Sequence, residues 1–297
     1  MLTALFLLLT LLWISSPVSA EEAEVSYSFE PWLYGAIVWV EAVPENGAEF
    51  AGLLTKSVEH AFRFWGYEPP VPPETWEHPW EVSMRIPTDG SLPQTVLNDP
   101  AGGGNWRLEP LTWEGEPIYP LLAIVFADQQ SLHDAIGREL PAYFFCSHGY
   151  VTNVEPWIRP LMRKPRSMLC PIDASQAILV KEFAHWFAYE RDDCLFHTPP
   201  YIYEGLSEVT AAAFPDDSEG AEIDVVEWAS NNCLSMCVAS RSLTEAVGES
   251  FVGFLIDELG HEGVLDSLYL WARDAYNMRA KYQGPWRISL GLPDNCP

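Results

Sequence analysis

The stretch Lys181-Glu182-Phe183-Ala184-His185 sets a carboxylate between an amine and an imidazole. On a helix, positions 181 and 185 lie one turn apart on the same face. Two histidines at that spacing point at one zinc ion, and a glutamate between them polarises the zinc-bound water. Here the imidazole at 185 and the glutamate are present, and a lysine stands where the first imidazole belongs. Eighteen residues then intervene before Glu204, which opens Glu204-Gly205-Leu206-Ser207-Glu208. Glu208 lies on the same helical face as Glu204, placed to hold a histidine ring through its free N–H. Taken alone, Glu182 and His185 read as ordinary polar residues of a half-exposed helix. The spacing to Glu204 favours a joint role.

The combined pattern resembles that of the gluzincin metallopeptidase clan, especially the aminopeptidase-M1-like group with peptidase MA-like domains. There an H-E-x-x-H motif is followed by an E-G-x-x-E-type segment whose first glutamate is the third zinc ligand. Ser250–Gly260 is similar to that family's F-V-x-x-L-x-x-x-x-G helix. The resemblance covers about residues 120 to 275, and more weakly from 30. It implies an α+β, thermolysin/gluzincin-like fold, with a mixed-sheet N-terminal half, a helical C-terminal half and the active-site-type helix between them. Carried over position by position, it makes Glu182 the general base, His185 and Glu204 metal ligands, and Glu208 their support, with Lys181 in the missing ligand's place. The family also steadies the oxyanion with a Tyr or His just before the F-V helix. The segment 243–249 holds neither, and His261 and Tyr269 lie further on.

Lysine is a poor zinc ligand. A ligand must offer a lone pair, whereas an ammonium with a reference pKa of ~10.4 stays protonated and repels a divalent ion. A catalytic zinc site normally keeps three protein ligands. The ammonium is expected instead to pair with Glu204 and with Glu182, offsetting the cost of burying those carboxylates. This predicts a non-catalytic peptidase homologue, a pseudoenzyme that binds a peptide or protein partner in its cleft. The alternative is a secreted zinc-dependent metallopeptidase with an altered ligand set, in which His148 or His197 supplies the displaced ligand. Zinc is the one cofactor at issue, and the lysine argues against it. A third class, a glycosidase using Glu204 and Glu208 with stacking tryptophans, conflicts with their placement on one helical turn.

The elements that must position these groups follow from periodicity. Trp32 to Val43 reads as a strand, and Asn46 to Trp65 as a helix ending at Gly66. A Pro-rich connector runs from Pro69 to Pro79, Trp80 to Ile86 alternates like a strand, and Asp89 to Gly104 is a loop. Leu121 to Ala127 is a continuous apolar strand before a short helix, Asp128 to Leu140. Tyr143 to Cys170 reads as irregular with short strands. Asp173 or Ser175 caps the motif helix, which runs to about Glu190. Further helices are expected at Tyr203–Phe214, Gly220–Ala239, Leu243–Leu259 and Gly263–Tyr276. The division is 21–172 for the α/β half and 173–297 for the helical half, in one domain with a cleft between halves.

Composition bounds the setting. An apolar run from Met1 to Ile14 is followed by Ser15 to Ala20, and the small residues Val18 and Ala20 suit signal peptidase. The expectation is a signal peptide over 1–20 and a secreted or periplasmic product, not anchored in the membrane after cleavage. The run is shorter than the ~20 residues that span a bilayer. A formal net charge of −26 opposes nucleic acid and anionic membranes as partners. Six cysteines (Cys146, Cys170, Cys194, Cys233, Cys237 and Cys296) in an exported chain predict up to three disulfides.

Overall fold

The computed structural model describes residues 27–41, 44–69, 84–85, 107–108, 111–113, 116–118, 121–137, 143–146, 166–191, 198–214, 223–234 and 240–297. The expected signal peptide, the Pro-rich connector after Pro69, the expected 89–104 loop, His78, His148, His197, Cys194 and Cys237 lie outside them.

Continuous apolar runs become the central strands. β1 (Tyr27–Trp32) and β2 (Gly35–Val40) form an antiparallel hairpin. Short pairs follow, β3 (Met84–Arg85) with β4 (Arg107–Leu108) and β5 (Leu111–Trp113) with β6 (Glu116–Ile118). β7 (Leu121–Phe126) pairs in parallel with both β2 and β9 (Arg166–Pro171), and β8 (Tyr143–Cys146) closes the other edge antiparallel to β9. The five-stranded mixed sheet therefore has the order β1-β2-β7-β9-β8. Parallel strands need cover on both faces, which is why β7 is apolar at every position. Leu121, Ala123 and Val125 join the main core, while Leu122, Ile124 and Phe126 join a smaller one.

The smaller core lies under α2 (Gln129–Ile136), capped by Asp128, whose carboxylate accepts from the Ser131 N–H, and ended by Gly137 at φ 66°. The main core lies under α1 (Gly47–Phe64) and α3 (Gln176–Arg191). Ser175, not Asp173, caps α3, its hydroxyl accepting from the Ile178 N–H at 3.3 Å. The helical half continues with α4 (Pro200–Ala211), α5 (Val225–Asn231) and α6 (Arg241–Ser289). α6 is one helical run broken at Gly260 (φ 70°) and Asp274. A mixed-sheet half followed by a helical half is an α+β arrangement.

Several boundaries differ from the sequence expectation. β1 is an additional edge strand, where Pro31 is tolerated because an edge has one side free of ladder bonds. α4 begins at Pro200, which suits the first turn because its missing N–H has no helical partner there. α5 is shorter than expected, capped by Asp224 through the Glu227 N–H at 2.8 Å. The final helical segment runs through Pro285 to Ser289, well past Tyr276.

Cys233 is bonded to Cys296, tying the end of α5 to the C-terminal tail. Cys170 is free and buried on β9, so it forms none of the three bridges expected from the cysteine count. Among the described residues no helix is long and apolar enough to cross a membrane.

Candidate functional site

α3 is buried on almost every face: Ala177, Leu179, Val180, Phe183, Ala184, Trp186, Phe187 and Ala188 all belong to the core. A helix apolar all round is central, and polar residues on it need partners. Its second and third turns nonetheless carry Glu182 at 9 % exposure and His185 at 7 %. The half-exposed helix that would make these residues ordinary is therefore not what forms.

α4 answers them. His185 Nε2 lies 3.5 Å from Glu204 Oε2, and the imidazole stacks on the Tyr203 ring with centroids 3.9 Å apart and planes 14° apart. His185 Nδ1 is buried with no hydrogen-bond partner. One turn away, Lys181 Nζ lies 2.9 Å from Glu208 Oε2, with the two side chains 19 % and 14 % exposed. The pairing differs from the expected one in two respects. The lysine engages Glu208 rather than Glu204, and Glu208 holds the ammonium rather than the histidine ring. The reason is helical register: residues 181 and 185 face residues 208 and 204 in matching order, one turn apart on each helix.

The third wall is the start of α6, and a glycine contact sets its distance. A Cβ on Gly205 would collide with the Gly248 carbonyl, and one on Gly248 would collide with the Tyr201 carbonyl. Backbone meets backbone where α4 and α6 cross. Arg241 and Glu245 lie two turns and one turn before Gly248 on the same face, their side chains 56 % and 25 % exposed. Arg241 Nε donates to Glu245 Oε1 at 2.7 Å. Arg241, Glu245 and Glu249 are charged neighbours of the helix pair that sequence reasoning missed. The signal available was Gly248, whose need for closeness no local pattern explains.

The charges of the three helices are coupled. Burial pushes the Glu204 carboxyl up, but the His185 hydrogen bond and charge, with Arg241 and Lys181, outweigh it and leave it below the usual carboxylate value. Burial pushes Glu208 up and the nearby Glu245 and Glu249 add to this, so Lys181 compensates it only in part. For Arg241, burial disfavours the charge, yet the bonded Glu245 and the charges of Glu204 and Glu182 hold its guanidinium above the usual value. Beneath the helix, burial and then the charge of Glu182 push the Cys170 thiol up, so it stays protonated and unreactive.

The comparisons leave the chain alone. No family model, no curated protein and no solved structure matches it significantly.

A catalytic zinc site needs a third protein ligand beside His185 and Glu204. His185 and Glu204 converge, but among the described residues no third histidine, cysteine or carboxylate completes a ligand group with them. The place one turn before His185 is held by an ammonium already bound to a carboxylate. Of the other imidazoles, His60 meets the Thr210 carbonyl at 2.9 Å, His133 meets Gln129 at 2.9 Å, and His261 packs on Phe64 and Trp65. Tyr269 is exposed under Arg273. His60 therefore meets the far end of α4, while at His185 the stacked ring is that of Tyr203.

Proposed function

We propose that this chain is an exported, gluzincin-like protein with a thermolysin-type fold, a non-catalytic peptidase homologue that binds a peptide or protein partner in its cleft. The observation that carries the reading is the Lys181–Glu208 ion pair at 2.9 Å, set where a peptidase of this kind needs its first imidazole. Support for the kinship comes from the order of Glu182, His185, Glu204 and Glu208 on facing helices, and from the buried Phe251, Val252 and Leu255 of the following helix. Without a metal, Glu182 has no bound water to activate, and the buried polar surface of α3 and α4 is left to recognition.

One observation favours the secreted zinc-dependent metallopeptidase with an altered ligand set. The 3.5 Å between His185 Nε2 and Glu204 Oε2 is long for a hydrogen bond. It is close to the ~3.4 Å that separates two ligands on one tetrahedral zinc with bonds of about 2.0–2.1 Å. Peptide hydrolysis assays distinguish the two readings. The non-catalytic reading expects none with wild-type protein, with or without added zinc. Chelator-sensitive hydrolysis that Glu182→Gln abolishes establishes the peptidase instead.

A further inference from the structure

The end of α6 and the tail behind it border a cavity of about 540 Å³, on residues that belong to neither α3 nor α4. Its wall carries a cation, Arg279, and an anion, Asp294. Backbone contacts fix both. Arg279 Nη1 donates to the Leu234 carbonyl at 3.0 Å, and its guanidinium lies over the Tyr276 ring, 5.6 Å from the centroid. Asp294 sits between two ties of the tail: Arg287 Nε donates to the Pro293 carbonyl at 2.8 Å, and Cys296 is bonded to Cys233. Gly284 lets the tail close in, because a Cβ there would stand 3.2 Å from the Asp294 carbonyl oxygen. Among the described residues, neither charge meets an opposite one within ion-pair distance. A guanidinium has five N–H donors in a planar fork, and the Leu234 bond uses one. Gln283, also on the wall, donates from Nε2 to Cys296 Sγ and leaves Oε1 buried without a donor. The apolar part of the wall faces solvent, with Tyr276 71 % and Ile288 60 % exposed.

We propose that this cavity binds a short peptide with free ends and apolar side chains. The peptide carboxylate meets the fork of Arg279 and the ammonium meets Asp294. A peptide N–H is the donor that Gln283 Oε1 lacks, so the smallest ligand is a dipeptide. Its side chains cover Tyr276, Pro285 and Ile288. A ligand of one charge would answer one wall group and leave the other, which is why a zwitterion fits where an anion or a cation alone does not. The volume lies in the ~300–1,000 Å³ range of small-molecule sites. This site does not rest on the gluzincin reading, and it is distinct from the partner cleft.

Equilibrium dialysis of the full-length protein against the dipeptide Leu-Leu is the first measurement, with one saturable site per chain expected. Uptake that never saturates overturns the proposal. N-acetyl-Leu-Leu lacks the ammonium and should bind about fivefold more weakly to wild type, the effect of one ion pair at an exposed carboxylate. Asp294→Asn should bind the free and the acetylated dipeptide alike; a remaining preference for the free amine overturns the pairing. Leu-Leu amide lacks the carboxylate and should bind about tenfold more weakly to both proteins. Equal affinity for the amide removes Arg279 from the site, and the proposal with it. Tyr276→Ala changes an exposed side chain and so tests the location with the fold intact. It should weaken all three ligands by the same factor. Unchanged affinity in that variant places the peptide elsewhere, which sinks this inference and leaves the proposed function standing.

Discussion

Two cations of the helical half, Arg287 buried and Lys181 half-buried, are answered in different ways. Arg287 is 2 % exposed, and its guanidinium donates to backbone carbonyls: Ala229, Asn232 at 3.1 Å and Pro293 at 2.8 Å. It closes the end of α5 and the C-terminal tail in the region that the Cys233–Cys296 bond also ties. Lys181 is answered by a carboxylate in a crowd of carboxylates. The first cation completes hydrogen bonds that helix ends leave open. The second balances charge. A buried arginine that meets only carbonyls marks a clamp, whereas a lysine among glutamates marks a place where charge itself is managed.

The contrast can be broken by measurement. The largest loss is expected at the clamp: replacing both Cys233 and Cys296 by Ser, which releases a closure spanning 63 residues, should cost about 3–4 kcal/mol in chemical denaturation. Arg287→Met leaves three carbonyls unanswered and should cost about 3 kcal/mol, with no change in pH dependence. Gly205→Ala forces α4 away from α6 and should cost about 2 kcal/mol while moving Arg241 from the site. Lys181→Met should cost only about 1 kcal/mol at neutral pH, because the pair is partly solvated. That deficit should shrink on acidification, as Glu208, already raised, takes a proton and no longer needs the lysine. A Lys181→Met loss as large as that of Arg287→Met, and flat with pH, would erase the distinction.

Glu204 provides the smallest and most specific test. Its pKa in the folded chain is depressed below the unfolded value, so the stability it contributes is present above the unfolded pKa and lost as pH falls through the folded one. The stability difference between wild type and Glu204→Gln should therefore be full at neutral pH and close in acid. Urea midpoints measured across that range check it. A difference that widens as pH falls contradicts the His185–Glu204 coupling.

The sequence made some of this arrangement legible and hid the rest for identifiable reasons. α1, α2, α3 and β7 were readable because apolar periodicity and caps agreed: Asp128 and Gly137 bracket α2, and Ser175 starts α3. β1 was hidden by Pro31, and the last helical segment by Gly284-Pro285, both of which read as breaks until tertiary packing is known. In the site, Lys181, Glu182, His185, Glu204 and Glu208 share a pattern with fixed spacing, so they could be found together. Which carboxylate meets which base depends on how two helices face each other, and spacing alone does not contain that. Arg241 and Glu245 enter through a helix crossing thirty-odd residues downstream of α4, and only the backbone contact at Gly248 makes them neighbours.

The free thiol of Cys170 lies fully buried on the central sheet beneath α3. Nothing from solvent reaches it unless that helix lifts from the strands, so its labelling rate by an alkylating reagent is a clock for breathing motions of the native state. Slower labelling in the presence of a bound partner would report, without mutation or spectroscopic tag, that occupancy at the far side of the helix is felt through its whole width.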